Sequence, residues 1–205
     1  DFNRRTFLST TLGTTAAAAF TAHVAGAEEK ESRPVRAAVM GVNGRGRSLI
    51  SEFAEFPEIE FRYICEPDAN VVAPAVKAAT VGDRREPTVL KDFRKALDDP
   101  DLDVLICAAP DHWHGLATIL ACQAGKDVYC EKPASHNLVE GRKAVEAARK
   151  YGRVVQIGTQ RRSAAEYVDG IRQIHEGRIG KVHFVRTWIN STRPNIGHES
   201  PTPPP

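Results

Sequence analysis

Val35-Arg36-Ala37-Ala38-Val39-Met40-Gly41-Val42-Asn43-Gly44-Arg45-Gly46 reads as an apolar strand that runs into a glycine turn. Ser48-Leu49-Ile50-Ser51-Glu52-Phe53-Ala54 follows with apolar residues at helical spacing, so the unit is strand, turn, helix. A dinucleotide site uses glycines at such a turn because the chain reverses tightly, the backbone approaches a pyrophosphate, and helix packs closely on strand. Gly41 and Gly46 occupy the outer positions of G-x-G-x-x-G, while Asn43 stands in the middle one with Gly44 beside it. Asn tolerates positive φ better than most residues, so the turn remains feasible.

Outward from this unit the same alternation continues. A second strand, Ile59 to Cys65, ends in Glu66-Pro67-Asp68, about 20 residues beyond the turn, where an acid accepts hydrogen bonds from a ribose diol. Glu66 is the expected acceptor, and its charge disfavours a 2′-phosphate, so NAD is expected ahead of NADP. Arg45 and Arg47 in the turn would offset that repulsion, which keeps NADP as the alternative. Asp68 reads equally well as a helix cap.

Asp103 to Ala109 is a continuous apolar run of the kind buried on both faces of a parallel sheet. A helix over roughly His112 to Gln123, a strand ending at Glu131, a helix over Leu138 to Tyr151 and a strand over Val154 to Gly158 follow. Six strands alternating with helices give an α/β fold with a Rossmann, doubly wound parallel sheet. The expected boundaries are a dinucleotide-binding domain over 35–155 and, over 156–205, the truncated start of an α/β substrate domain. That remnant contains one helix and a strand at Lys181 to Asn190. The chain is therefore read as a fragment of a longer protein.

Tyr129-Cys130-Glu131-Lys132-Pro133 lies where ligands collect in an open α/β sheet, beyond the carboxyl end of a strand. The Lys132–Pro133 bond is expected to be cis, since a lysine that turns back toward a ligand while the chain leaves abruptly needs a linkage that tolerates it. Taken together, four motifs resemble the Gfo/Idh/MocA family of NAD(P)-dependent oxidoreductases. They are the glycine turn, Cys65-Glu66-Pro67-Asp68, Ala109-Pro110-Asp111-His112-Trp113-His114, and Ala124 to Pro133 with its Glu-Lys-Pro centre. The resemblance covers roughly Val35 to Asn190.

It implies a hydride transfer between a nicotinamide cofactor and a sugar, polyol or derivative. Lys132 would contact the nicotinamide ribose and the reacting hydroxyl, Glu131 would orient it, and a partly desolvated lysine could relay the hydroxyl proton. The resemblance further places Pro110 and His114 at the border of the cofactor and carries Gln160 and Arg161 toward its nicotinamide side. Arg162 reads as solvated. The family's main acid/base, usually a histidine, would come from the second domain, beyond Pro205. Two rival readings are an NAD-dependent glycosidase of the same superfamily and a non-catalytic dinucleotide-binding protein; the Glu-Lys-Pro centre favours an enzyme over the binder.

Other features narrow the class. His112 and His114 form a His-x-His pair beside Asp111, but no further ligand cluster accompanies them and no metal is expected. Cys65, Cys107, Cys122 and Cys130 sit in apolar strand or helix contexts, as buried free thiols do. Asn3-Arg4-Arg5-Thr6-Phe7-Leu8-Ser9, a mildly apolar stretch and Ala25-Gly26-Ala27 resemble a twin-arginine signal peptide over 1–27, followed by a charged linker over 28–34. Export to the periplasm in folded form follows, with no permanent membrane anchor. Removing 1–27 takes the net charge from +2 to +1, and no basic tract calls for nucleic acid. The expected partners are a small carbohydrate or polyol and, in the full-length protein, further copies of the chain.

Overall fold

A computed structural model of the chain describes residues 33–188. Its six strands are β1 (Val35–Met40), β2 (Ile59–Cys65), β3 (Thr88–Leu90), β4 (Val104–Cys107), β5 (Asp127–Glu131) and β6 (Val155–Gly158). They form one sheet in the order β3-β2-β1-β4-β5-β6, and every neighbouring pair is parallel. This is the doubly wound Rossmann arrangement, in which the chain leaves one edge at β3 and restarts beside β1 at β4. The helices are α1 (Arg45–Phe53), α2 (Val72–Ala79), α3 (Arg94–Leu97), α4 (His114–Gln123), α5 (Leu138–Tyr151) and α6 (Ala165–His175).

Strand periodicity explains the two cores. Ala37 and Val39 of β1 join Leu49, Ile50, Phe61, Ile64 and Ile106 on one face, whereas Ala38 and Met40 join Leu105, Cys107, Val128 and Cys130 on the other. Successive residues thus serve opposite faces, and a strand covered on both must be apolar throughout. The helices carry matching stripes: Leu49 and Ile50 from α1 seal the first face, and Ala117 and Ala121 from α4 the second.

Helix ends follow local chemistry. Asn137 caps α5 by accepting from the Glu140 N–H at 3.0 Å, the Asn137 side chain donates back to Glu140 at 2.7 Å, and Gly152 ends the helix at φ 60°. Those signals bound the helix at Leu138–Tyr151, as expected. Asp68 caps the 3-10 turn at Ala69–Val71 by accepting from the Asn70 N–H at 2.9 Å.

Three expectations change. β3 is the strand whose residues the sequence did not single out: it has three residues at the sheet edge, too few for periodicity to register. β6 pairs with β5 through Gly158, so the sheet runs past the boundary expected at residue 155. The strand expected over Lys181 to Asn190 does not form over its described part, Lys181–Trp188, which is irregular and leaves Phe184, Val185 and Trp188 exposed. A strand exists through its ladder, and no described residue pairs with this stretch. The segment 1–32, with the expected signal peptide and most of the linker, and the stretch 189–205 lie outside the described residues. Among the described residues no helix is long and apolar enough to cross a membrane.

Gly46 is the tightest point of the fold, because a Cβ there would sit 1.8 Å from the Gly41 carbonyl oxygen. Gly46→Ala is expected to cost about 3 kcal/mol, at the upper end of overpacking losses, through displacement of α1 from the turn. Denaturant unfolding measures it; an unchanged midpoint would show that the turn yields freely.

Candidate dinucleotide and active site

The carboxyl ends of β1, β2, β4, β5 and β6 open on one side of the sheet, and the expected site residues gather there. Gly41 has φ +81°, and its missing side chain admits the start of the segment after β4: a Cβ would lie 2.6 Å from the Ala109 backbone. This contact joins the ends of β1 and β4, where the strand order switches. Gly44, at φ +99°, has open space around its Cα and stands as N-cap of α1 without a side-chain cap. The first turn of α1 contains no acid. Uncapped N–H groups at an open helix start suit an anion, so these residues fit a pyrophosphate. Asn43 is exposed beside them.

Glu66 ties β2 to this turn. Its Oε2 accepts from the Val42 N–H at 3.0 Å and its Oε1 from the Asp68 N–H at 3.1 Å. Each carboxylate oxygen takes two hydrogen bonds, so one site remains on each for a diol.

Glu131 is buried, at 4% exposure, and its carboxylate needs a partner. Arg45 supplies one: its Nε donates to Glu131 Oε1 at 2.7 Å, and its Nη1 donates to Glu52 Oε1 at 2.6 Å. The Lys132 N–H donates to Glu131 Oε2 at 3.1 Å. The offset expected of Arg45 beside Glu66 therefore gives way, since its guanidinium serves Glu131 and Glu52. The periodic pattern carries no sign of a pair 86 residues apart. Gly158, in register with Glu131, leaves the room it needs, because a Cβ there would approach Tyr129 Oη to 2.8 Å and Glu131 Oε1 to 3.0 Å.

Lys132 follows on the exposed side of the strand end. The partial desolvation expected of it is not supplied by the described residues. The Lys132–Pro133 bond is cis, as expected. Pro110 is exposed and starts a 3-10 turn over Asp111–Trp113. Gln160 and Arg161 lie exposed in a 3-10 turn after β6, with Arg161 reaching Tyr167 Oη at 3.5 Å, and Arg162 is solvated. Neither touches the Glu131 cluster.

His114, which the resemblance sets at the border of the cofactor, turns its ring inward beneath the site. It is 2% exposed, and its ring spans two loops: Nδ1 is 2.5 Å from the Pro133 carbonyl oxygen and Nε2 is 2.8 Å from that of Ala109. Burial alone would lower its pKa, but the nearby Cys130 sulfur and the hydrogen bonds to these carbonyls outweigh that and raise it to about 9. His114 thus fastens the loops from beneath. His112 is exposed and lies 3.9 Å from Asp111, so the His-x-His pair diverges. All four cysteines are buried and free, as expected. The sequence reading missed that Cys107, Cys130 and His114 converge, with donor atoms within 4.8 Å of one another.

A parallel 3-2-1-4-5-6 sheet with a glycine turn, an acid at the end of β2 and an uncapped α1 is a dinucleotide-binding domain. Residues 35–159 match the family described as Oxidoreductase family, NAD-binding Rossmann fold, and the chain belongs to this Gfo/Idh/MocA family. Over 161 residues it is 27% identical to the uncharacterized oxidoreductase YrbE of Bacillus subtilis, covering 78% of this chain and 46% of that one. It is 36% identical to the scyllo-inositol 2-dehydrogenase (NAD(+)) of the same organism over 91 residues, 44% of this chain and 27% of the relative. The crystal structure of myo-inositol 2-dehydrogenase from Lactobacillus plantarum superposes with a TM-score of 0.65 at 25% identity, covering 73% of this chain and 43% of that one. The chain spans less than half the length of these relatives.

The Arg45–Glu131 pair is open to a double-mutant cycle. Arg45→Met leaves a buried carboxylate short of its cation and is expected to destabilise by about 2 kcal/mol, the lost charge-assisted bond discounted because Arg45 is a third exposed. With Glu131→Gln already in place the same change should cost well under half of that, and equal costs would mean that the pair is not coupled.

Proposed function

We propose that this chain carries the cofactor-binding part of an NAD-dependent oxidoreductase that moves hydride between the nicotinamide and a hydroxyl-bearing carbon of a polyol, sugar or derivative. The observation that supports this reading most is the convergence at one sheet edge of the uncapped α1 start, Glu66, and Glu131 with Lys132. The inositol dehydrogenases among its relatives support the substrate class. When bound, the nicotinamide supplies the hydride acceptor or donor.

The chain's own residues do the rest. Backbone N–H groups at Gly44 to Gly46 receive the diphosphate, and Glu66 accepts from the adenosine ribose diol through the free site on each oxygen. Glu131, pinned by Arg45, holds the backbone at Lys132, and the Lys132 ammonium, free to reach outward, hydrogen-bonds the reacting hydroxyl and eases its proton away. Lys132 would be desolvated there once a dinucleotide and a substrate lay against it, which the described residues alone do not do. Arg45 serves the cofactor indirectly, through Glu131. Pro110, Gln160 and Arg161 border the nicotinamide side, and the main acid/base belongs to residues outside this chain. We further propose export through a twin-arginine signal over 1–27 to the periplasm, and self-association of the whole protein.

Calorimetric titration of this chain with NAD should show saturable binding. Glu66→Ala should weaken NAD roughly tenfold or more, the loss of hydrogen bonds to a charged acceptor, and should improve NADP relative to NAD because the repelling charge is gone. An unchanged preference would assign the diol to another group. The complete protein, offered a panel of inositols and sugars with NAD, should generate reduced cofactor at its characteristic absorbance; glycoside cleavage without oxidised product would favour the glycosidase instead. For the export reading, a reporter fused after residues 1–27 should reach the periplasm, and paired replacement of Arg4 and Arg5 by Lys should keep it in the cytoplasm.

A further inference from the structure

Beneath the site, Cys107 and Cys130 stand directly opposite each other on β4 and β5, on the same sheet face, with the His114 ring beside them. Carbonyl oxygens only accept hydrogen bonds, so a ring whose two nitrogens both face carbonyls, at 2.5 Å and 2.8 Å, carries a hydrogen on each and is an imidazolium. A cation 2% exposed requires an anion close by. The ionisable groups that the structure places against it are the two thiols. The buried Thr118 hydroxyl nearby has no hydrogen-bond partner among the described residues. The hydrogen bond from Cys107 comes first among the groups that lower the Cys130 pKa, with His114 adding to it against burial, while the Cys107 proton is held more tightly.

We propose that Cys107 and Cys130 form an oxidisable dithiol, with Cys130 as the thiolate paired to the His114 imidazolium, and that hydrogen peroxide converts it to an intrachain disulfide. The Cys130 thiolate sulfur attacks one peroxide oxygen, the O–O bond breaks, and the leaving hydroxide takes the proton of the His114 imidazolium to become water; Cys130 is then a sulfenic acid and His114 is neutral. The Cys107 thiol attacks that sulfur, the S–S bond forms, and the sulfenic oxygen leaves with the thiol proton as a second water. Two thiol sulfurs lose two electrons in total, and one peroxide is reduced to two waters. Neighbouring parallel strands lie about 4.8 Å apart, within the Cα separation that a disulfide spans. All four cysteines are buried, so peroxide enters through local opening, and selectivity among them comes from thiolate character.

Mass spectrometry tests this without reference to the cofactor. The folded chain is exposed to millimolar peroxide, quenched with catalase, denatured and alkylated with iodoacetamide. A linked peptide pair containing Cys107 and Cys130 should appear and dithiothreitol should dissolve it, while Cys65 and Cys122 remain alkylated. Cys107→Ser should stop the reaction at a Cys130 sulfenic acid that dimedone traps. His114→Gln, checked for folding by circular dichroism, should slow disulfide formation at least tenfold. Equal alkylation of all four cysteines, dimedone capture at Cys65 or Cys122 in preference to Cys130, or an unslowed His114→Gln variant would each overturn the proposal. NAD titration of the unoxidised chain reports separately on the cofactor reading.

Discussion

The structure depends on one close approach, the backbone of Gly46 against that of Gly41 and of Gly41 against Ala108 and Ala109. A β-carbon at either glycine would collide with backbone, which no rotamer can relieve. This approach fixes where α1 begins relative to β1 and brings the end of β4 to the end of β1, at the point where the strand order reverses. Once these are set, the remaining pieces have little freedom. Glu66 reaches the Val42 N–H because β2 is the neighbour of β1, and Arg45, at the start of α1, reaches past β4 to Glu131 at the end of β5.

Much of this was legible in the sequence because it is written in periodicity. Ala37 to Met40 and Val104 to Ala109 are apolar at consecutive positions, as a sheet covered on both faces requires, and the two buried clusters bear it out. The helix over Leu138 to Tyr151 was bounded to the residue, and the structure shows why: a cap at Asn137 and a positive-φ glycine at 152. What periodicity cannot carry is a short edge strand such as Thr88–Leu90, or a segment such as Lys181–Trp188 whose alternation has nothing described to pair with.

The site was legible in part for the same reason. Motif residues at strand ends can be placed from the order of strands, so the neighbourhood of the glycine turn, Glu66 and Glu131 followed from the fold class. Which side chain faces which did not. Arg45 and Arg47 read as charges in the turn that would offset the repulsion between Glu66 and a 2′-phosphate, and the Arg45 guanidinium is engaged by Glu131 and Glu52; the resemblance put His114 at the border of the cofactor, and its ring lies buried between the Ala109 and Pro133 carbonyls. Both details turn on side-chain direction at a helix start, where one residue turns the side chain by about 100° around the axis.

Those two residues show how the site is supported. Arg45 holds Glu131 from the α1 side, and His114 holds the Pro133 carbonyl from the α4 side, so the Glu131-Lys132-Pro133 segment is fastened at both ends by hydrogen bonds from cations. Between these anchors the Lys132 side chain is left to solvent. In the hydride transfer proposed above, Lys132 would meet first a hydroxyl and then a carbonyl, and a mobile ammonium on an immobile backbone suits that. The rigidity comes from the partners of Glu131 and the mobility from exposure, and the division falls between adjacent residues because the strand ends at Glu131 and the chain bends at Lys132. The two donors are matched differently, the part-exposed Arg45 by a carboxylate at Glu131 and the buried His114 by two carbonyls with a sulfur neighbour. The support at His114 is therefore the one whose surroundings change if the proposed dithiol is oxidised.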